Sequence, residues 1–259
     1  MEISEHIEHL AAQGELLAQA AERTPLTAPV PSCPGWQLRD LLAHTGYVHR
    51  WATAYVADAQ PHRVDRLGET ELLQAAPPDD VLRGWFRDGH AALLATLRGA
   101  DPAVRCWTFM DAPSPLAFWA RRQTHETTVH CADAQLAAAP AQPPAAVPAG
   151  LAADGIDELV TGFGGRKPGK LADAPATLVI RAGDGPGAPA WTVVMGQPDA
   201  RVCRGADPAA AGDRYCEVSG PAPDLYLALW NRRPPGVLDV RGDSGVLATW
   251  LGRMHVRWA

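Results

Sequence analysis

Hydrophobic residues recur every three or four positions in four long segments near the start of the chain. The segments span residues 2–22, 36–58, 79–98 and 114–138. This spacing places the apolar side chains of each segment on one face of an α-helix. The stripe of the second segment consists of Leu41, His44, Val48, Trp51 and Tyr55. Four amphipathic helices of similar length predict a four-helix bundle, whose functional side chains project inward from facing helices.

The pattern changes after a proline- and alanine-rich stretch at residues 137–150, AAAPAQPPAAVPAG. Its prolines are incompatible with a helix interior, so it is predicted to be a linker or domain boundary. Beyond it, short hydrophobic runs that end at glycine or proline alternate with helical patterns, which predicts an α+β domain. The predicted strands are residues 177–181, 191–195, 200–203, 215–218, 237–241 and 255–258, and the predicted helices are residues 151–163, 222–231 and 244–251.

The chain is therefore expected to have two domains of different class. With 259 residues it is long enough for each domain to have its own hydrophobic core. We expect a helical bundle over residues 1–140, a linker over residues 141–150 and an α+β domain over residues 151–259.

The distribution of charge argues against a surface that binds polyanions. The net charge is −6, and the chain contains no basic run. Residues 1–150 carry 17 acidic and 11 basic side chains, whereas the remaining residues carry 12 of each. Because nucleic-acid affinity depends on clustered cations, nucleic acid is not an expected partner.

The sequence also lacks the features of an exported or membrane-bound protein. It begins MEISEHIEHL, with acidic residues where a signal peptide has basic ones. No apolar run reaches the roughly 20 residues that cross a bilayer. Five widely spaced cysteines without a CxxC pair argue against a disulfide framework and against a thiolate zinc site. We expect a cytoplasmic protein, without membrane partners, that is a monomer or a weak homo-oligomer.

Histidine is concentrated in the predicted bundle, where eight of the nine histidines lie at or before His130. His44 belongs to the apolar stripe of the second helix, so its imidazole should face the interior and need polar partners there. Glu126 and His130 are four residues apart, about 40° around the fourth helix, so both side chains can reach one point. A buried ionised glutamate is costly unless it is paired or binds a cation. The three residues are therefore candidate metal ligands, and an ordinary buried polar cluster is the alternative.

Two neighbouring histidines do not fit the same site. His125 and Glu126 suggest the HExxH motif of metalloproteases, but the histidines of that motif are four residues apart. His125 and His130 are five apart, which separates them by about 140° around the helix and excludes a shared ion. His44 and His49 are also five residues apart and cannot share an ion. We therefore expect His49 and His125 to lie behind the ligands or at the surface. Two histidines and one glutamate leave a coordination position open, as in catalytic zinc sites.

Several motifs resemble those of one enzyme family. The string VPSCPGWQLRDLLAH at residues 30–44, followed by VHRW at residues 48–51, resembles the second-helix signature of the mycothiol-dependent maleylpyruvate isomerase family, a branch of the DinB-like four-helix bundles. ETTVH at residues 126–130, with DAQ at residues 133–135, is similar to the fourth-helix motif of that family. SGPAPDLYLALWNRRP at residues 219–234, with VRGD at residues 240–243, resembles its carboxy-terminal domain, which is related in fold to sterol carrier proteins.

The resemblance covers nearly the whole chain and implies a function. It implies a divalent metal, usually zinc, bound by His44, Glu126 and His130, and mycothiol as a low-molecular-weight thiol cofactor. The metal would lower the pKa of the cofactor thiol, because the thiolate is the nucleophile. A small electrophile would be the substrate. Reversible addition of the thiolate to an unsaturated keto acid of the maleylpyruvate type would give cis–trans isomerisation, and addition or displacement without reversal would give mycothiol S-transfer.

The resemblance also implies one catalytic cation, and the sequence departs from the family pattern at some positions. The family signature places an arginine after Leu-Trp-x, which here is Arg232, and we expect it to bind a substrate carboxylate or a developing oxyanion. Pairing with a surface acid is its alternative role. Cys131 and Ala132 replace the Arg-Trp pair of many relatives, and Cys131 is expected to be a packing residue. Trp36, Trp51 and Asp133 match the signature and are expected near the site, without an assigned role.

Two other classes of function remain open at this stage. In a non-catalytic binding protein, the carboxy-terminal domain would hold an apolar ligand and the metal would be structural. A fourth protein ligand that completes the metal shell, such as His49 or Cys131, would favour this class. A thiol-independent metal hydrolase would use bound water, but no residue stands out as its general base.

Overall fold

The computed structural model describes residues 1–64, 69–166, 168–183, 185, 187–196, 198–207, 210 and 214–256. The chain divides into a helical unit, Met1–Ala145, and a second unit that begins at Ala146. This division lies within residues 141–150, the segment predicted as linker. The exact domain limits of 1–140 and 151–259 stay predictions.

In the described residues of the first unit there are four long helices and one short one. They are α1 (Ile3–Glu22), α2 (Leu38–Ala57), α3 (Glu69–Gln74), α4 (Asp79–Gly99) and α5 (Pro115–Ala138). Helices α1 and α2 each pack against both α4 and α5, so the four long helices surround a common interior. The bundle agrees with the pattern of hydrophobic residues in the sequence. The short helix α3 has too few turns for a hydrophobic repeat and was not predicted.

Local hydrogen bonds determine where α2 and α5 begin. The sequence pattern predicts a second helix from Trp36, but α2 begins at Leu38 because Gln37 and Asp40 form a capping box. In it, the backbone N–H of Gln37 donates to Oδ2 of Asp40 at 2.9 Å. Trp36 therefore lies before the helix. At the start of α5, the hydroxyl of Ser114 accepts from the backbone N–H of Ala117 at 3.1 Å, which is a standard N-cap.

The bundle interior contains two hydrophobic clusters. One contains Leu17, Leu41 and Phe86, and the other contains Tyr55 and Trp119 together with further aliphatic and aromatic residues. Burial of this apolar surface is the main favourable contribution to folding. Many polar side chains are also buried in this unit. Those of α5 are Arg122, Gln123, Thr124, His125, Thr127, Thr128, His130 and Asp133.

Over the part of the chain that the structure describes, the second unit contains a five-stranded mixed sheet and several helices. Its helices are α6 (Ala149–Asp157), α7 (Ala222–Leu229) and α8 (Ser244–Arg253), and its strands are β1 (Ala176–Ala182), β2 (Ala190–Met195), β3 (Arg201–Arg204), β4 (Tyr215–Gly220) and β5 (Asp239–Gly242). The strand order is β3-β2-β1-β4-β5. Strands β1 and β4 are parallel, and the other neighbouring pairs are antiparallel. The predicted α+β class is confirmed.

Three details of the second unit differ from the sequence predictions. The strand predicted for residues 237–241 begins only at Asp239, because Pro235–Val237 form a 3-10 helix. The helix predicted for residues 151–163 is an α-helix only to Asp157 and continues as a π-helix over Glu158–Phe163. Of the strand predicted for residues 255–258, His255 and Val256 are in no strand, and the last two residues lie outside the described residues. Among the helices that the structure describes, none combines the length and hydropathy needed to cross a membrane.

Candidate metal centre

His44, Glu126 and His130 lie together inside the helical unit. Their ligand atoms are all within 4.8 Å of one another. Oε1 of Glu126 is 3.2 Å from Nε2 of His44 and 3.3 Å from Nε2 of His130. The two imidazole rings are nearly perpendicular, with centroids 5.0 Å apart. Two ring nitrogens and one carboxylate oxygen therefore converge on one small volume.

The packing of α2 against α5 explains this convergence. Glu126 and His130 are one helical turn apart on α5, and His44 faces them from α2. The three side chains are largely buried, with exposed fractions of 4% for His44, 13% for Glu126 and 10% for His130. The small remaining exposure of Glu126 and His130 shows that the cluster is not completely sealed by the bundle.

Glu126 is ionised in this environment. Burial alone would raise its pKa, but hydrogen bonds from His130 and His44, together with the positive charges of His130 and Arg122, hold the pKa well below the ordinary value. Nη2 of Arg122 donates to Oε2 of Glu126 at 3.1 Å. Sequence analysis did not single out Arg122, although its position four residues before Glu126 places it on the same face of α5.

His130 is held from its other nitrogen by Asp133. Nδ1 of His130 is 2.8 Å from Oδ2 of Asp133, whose side chain is completely buried. Burial by itself would lower the pKa of His130, but the hydrogen bonds to Asp133 and Glu126 raise the pKa to about 9. Asp133 is fixed in turn by the hydroxyl of Ser32 and, at 3.5 Å, by the thiol of Cys33.

A histidine held by a carboxylate at one nitrogen presents the other to a metal in a fixed tautomer and orientation. Asp133 therefore has a defined contact at this centre, whereas sequence analysis placed it only nearby. Ser32 and Cys33 were not named as functional residues. No periodic signal marks them, because they belong to the loop before α2 and reach Asp133 across about 100 residues of sequence.

Trp36 forms one wall of the cluster. Its ring centroid is 5.0 Å from that of His44 and 6.4 Å from that of His130. Trp51, in contrast, belongs to the aromatic core of the bundle, where its ring meets those of Tyr55 and Trp119 at 5.2 Å and 5.0 Å. Of the two tryptophans expected near the site, Trp36 thus contacts the candidate ligands directly.

Comparisons with known proteins agree with the motifs of the sequence. Residues 7–135 match the model of the mycothiol maleylpyruvate isomerase N-terminal domain, and residues 150–249 match that of the C-terminal domain of the same family. Together these matches cover most of the chain. The chain belongs to the mycothiol maleylpyruvate isomerase family. This is an enzyme family, and its two-domain organisation is the one expected from the sequence.

Solved structures give the same fold. The chain is similar to the crystal structure of a mycothiol-dependent maleylpyruvate isomerase, with 15% identity, coverage of 89% of both chains and a TM-score of 0.61. It is also similar to a histidine-to-alanine mutant of the mycothiol-dependent maleylpyruvate isomerase, with 14% identity, coverage of 89% of this chain and 90% of that chain, and a TM-score of 0.61. No curated protein sequence matches the chain.

The two histidines excluded from the ligand set, His49 and His125, are both completely buried in this family member. The expectation that they could lie at the surface is therefore wrong. Nε2 of His49 is 2.9 Å from the hydroxyl of Thr127, which follows Glu126. Burial, followed by the charge of His90, lowers the pKa of His49 well below its ordinary value, so His49 is neutral. His49 therefore adds no positive charge beside the candidate ligands.

Cys131 is a packing residue, as expected. Its side chain lies in the hydrophobic cluster that contains Leu41 and Phe86. Burial raises its pKa to about 12, so the thiol is protonated and a poor nucleophile. Sγ of Cys131 also accepts a hydrogen bond from Nε2 of Gln135 at 3.3 Å.

Arg232 belongs to the second unit, just after α7. Its Nη1 donates to the carbonyl of Trp230 at 2.7 Å, and the side chain is half-buried. The adjacent Arg233 pairs with Asp224 at 3.0 Å. A catalytic role of Arg232 stays a prediction from the family motif.

The residues of the cluster fit a divalent metal. Zn²⁺ prefers imidazole nitrogens and carboxylate oxygens, and two imidazoles with one carboxylate are a known catalytic zinc set. The ligand atoms already face one another, and Asp133 supports His130 from behind. His44, Glu126 and His130 are therefore the residues that could hold such an ion.

Proposed function

We propose that this protein is a metal- and mycothiol-dependent enzyme that acts on a small electrophile by thiolate attack. The favoured reaction is cis–trans isomerisation of an unsaturated keto acid of the maleylpyruvate type, and mycothiol S-transfer is the runner-up. The single observation that carries the proposal is the convergence of Nε2 of His44, Oε1 of Glu126 and Nε2 of His130 in a member of this family.

The metal, proposed to be Zn²⁺, would be held by His44, Glu126 and His130. When bound, it supplies a Lewis acid that stabilises the thiolate of mycothiol at neutral pH. The protein contributes a fixed set of ligands: Asp133 orients His130, and Arg122 donates a hydrogen bond to Oε2 of Glu126. The largely buried surroundings limit contact with bulk water, which strengthens electrostatic interactions inside the site.

Two features support catalysis over a purely structural metal. Only three described residues form this group of ligand atoms, and neither His49 nor Cys131 belongs to it. A metal bound by three protein ligands keeps an open position for a further ligand. The thiol of Cys131 is protonated, so this cysteine is not a candidate for a protein nucleophile beside the metal.

Arg232 is proposed to bind the substrate carboxylate or the negative charge that develops on its carbonyl oxygen. A guanidinium suits both tasks because it offers several donors in one plane. The proposal rests on the position of Arg232 in the family motif. A cytoplasmic location, the absence of nucleic-acid partners and a monomeric or weakly oligomeric state are also proposed, from the sequence arguments.

The experiment that tests the function measures turnover of maleylpyruvate by the purified protein. Wild-type protein loaded with zinc is assayed with and without mycothiol, and the product is identified by its ultraviolet spectrum and mass. Turnover that requires both zinc and mycothiol is the expected result, and a product that retains the thiol would favour S-transfer. Hydrolysis of activated esters without any thiol would instead favour a metal hydrolase. Binding of zinc and mycothiol without turnover of any electrophile would favour a non-catalytic role.

Variants connect that activity to the centre. His44→Ala, Glu126→Ala and His130→Ala should each lose zinc and turnover together. His62→Ala is a matched control because His62 is an exposed histidine of the same unit. Full zinc content in all three ligand variants would refute the site.

A further inference from the structure

We propose that Arg122 is a positioning residue that makes Glu126 a metal ligand through one oxygen only, Oε1. This inference rests on the proposed metal site and deepens it, because it determines how many coordination positions the protein fills. Nothing in the motifs of the family resemblance assigns a role to Arg122.

The two oxygens of Glu126 have different partners. Oε1 lies 3.2 Å from Nε2 of His44 and 3.3 Å from Nε2 of His130, so it faces the two imidazoles. Oε2 accepts a hydrogen bond from Nη2 of Arg122 at 3.1 Å. One oxygen of the carboxylate therefore points to the candidate metal position, and the other is bound to a guanidinium.

The position of Arg122 makes this contact persistent. Arg122 is one turn before Glu126 on α5, and only 4% of its side chain is exposed. Separation of a buried guanidinium from its carboxylate partner is costly, because the two buried charges would no longer compensate each other. Hydrogen bonds between ionised groups are also about twice as strong as those between neutral groups. Release of Oε2 to act as a second metal ligand would break such a bond inside the bundle.

Single-oxygen binding has a chemical consequence. A carboxylate that binds through both oxygens fills two coordination positions, whereas one that binds through a single oxygen fills one. With His44 and His130, a single oxygen of Glu126 gives three protein donors, the number typical of catalytic zinc. Arg122 thereby keeps a position available for a thiol, and its positive charge offsets the negative charge of Glu126.

Cobalt(II) in place of zinc reports the coordination number directly, since four-coordinate cobalt absorbs visible light much more strongly than five-coordinate cobalt. We compare wild-type protein with Arg122→Met, which retains an unbranched apolar stem but no donor. Arg50→Gln is the matched control, because Arg50 is a part-buried arginine of the same bundle that donates to the backbone carbonyls of Gly46 and Trp85.

The inference predicts intense absorption for wild type and Arg50→Gln, and a severalfold weaker spectrum for Arg122→Met, with cobalt bound at the same stoichiometry. Arg122→Lys, which restores a donor, should recover the wild-type spectrum. A folded Arg122→Met protein with an unchanged spectrum would overturn the inference while leaving the metal site intact. Absence of cobalt from the wild-type protein would refute the metal site itself.

If Arg122→Met is too unstable to be studied, a second measurement still tests how Glu126 binds the metal. X-ray absorption of the zinc-loaded wild-type protein needs no variant and distinguishes the two binding modes. The inference predicts two nitrogen donors and one oxygen from the protein, with the carboxylate carbon too distant for chelation. A chelating carboxylate in that spectrum would contradict it.

Discussion

Replacement of Asp133 should weaken metal binding although Asp133 is not a proposed ligand. Its Oδ2 lies 2.8 Å from Nδ1 of His130, and its side chain has no exposed surface. The hydrogen bond fixes the ring so that Nε2 faces Glu126. Loss of such a supporting carboxylate typically costs about 10- to 100-fold in metal affinity. We expect Asp133→Asn to lose about tenfold, since it retains a polar side chain, and Asp133→Ala to approach a hundredfold.

These factors correspond to about 1.4 and 2.7 kcal/mol of binding free energy. The assay is competition for zinc between the protein and a chromophoric chelator at constant pH, with circular dichroism and thermal unfolding of the metal-free proteins as checks of folding. Asp111→Asn removes an exposed carboxylate of the same unit and should leave zinc affinity unchanged. A folded Asp133→Ala protein whose zinc affinity lies within about twofold of wild type would refute the supporting role of Asp133.

Three further predictions concern charge, catalysis and packing. In the metal-free fold the pKa of His130 is raised from its ordinary value of 6.5 to about 9. Protonation of His130 therefore stabilises this fold fully below pH 6.5, and the stabilisation is lost as the pH rises through 9. Chemical denaturation of the metal-free protein across this pH range should show the loss. A pH-independent difference between wild type and His130→Gln would contradict this. Arg232→Ala should reduce turnover while zinc affinity, measured by titration, stays unchanged, and Arg233→Ala is its neighbouring control; equal loss of zinc in Arg232→Ala would contradict the assigned role. Phe86→Ala should lower the free energy of unfolding in urea by about 3–5 kcal/mol, because Phe86 is buried in the bundle core, and a loss below about 1 kcal/mol would contradict that packing.

The candidate ligands could be predicted from the sequence because helical periodicity shows which face of a helix each side chain occupies. Glu126 and His130 repeat with the spacing of one turn, and His44 lies on an apolar stripe, so all three had to face the interior of any bundle. The same reasoning would have reached Arg122, one turn earlier. Spacing alone does not single out Arg122, however, because an arginine within a helix is usually exposed.

Contacts that depend on loops were beyond such reasoning. Ser32 and Cys33 reach Asp133 from an irregular segment, where no period reports the direction of a side chain. The sequence pattern predicts a second helix from Trp36, whereas the capping box of Gln37 and Asp40 leaves Trp36 in the preceding loop. That shift is what allows its ring to lie against His44.

The sheet of the second unit illustrates the same limit. Its strands could be located from short hydrophobic runs, but the order β3-β2-β1-β4-β5 depends on which strands pair. Strand β1 pairs in parallel with β4, so Ile180 lies beside Val218, and in antiparallel with β2, so Ile180 also lies beside Trp191. Composition alone does not specify such pairings, because several runs are similarly hydrophobic.

The most direct test of the metal centre is anomalous diffraction at the zinc edge from crystals of the zinc-loaded protein. The account predicts one strong peak in the helical unit, about 2.0–2.2 Å from Nε2 of His44, Nε2 of His130 and Oε1 of Glu126. Absence of a peak at these three atoms, with zinc bound elsewhere or not at all, would contradict it.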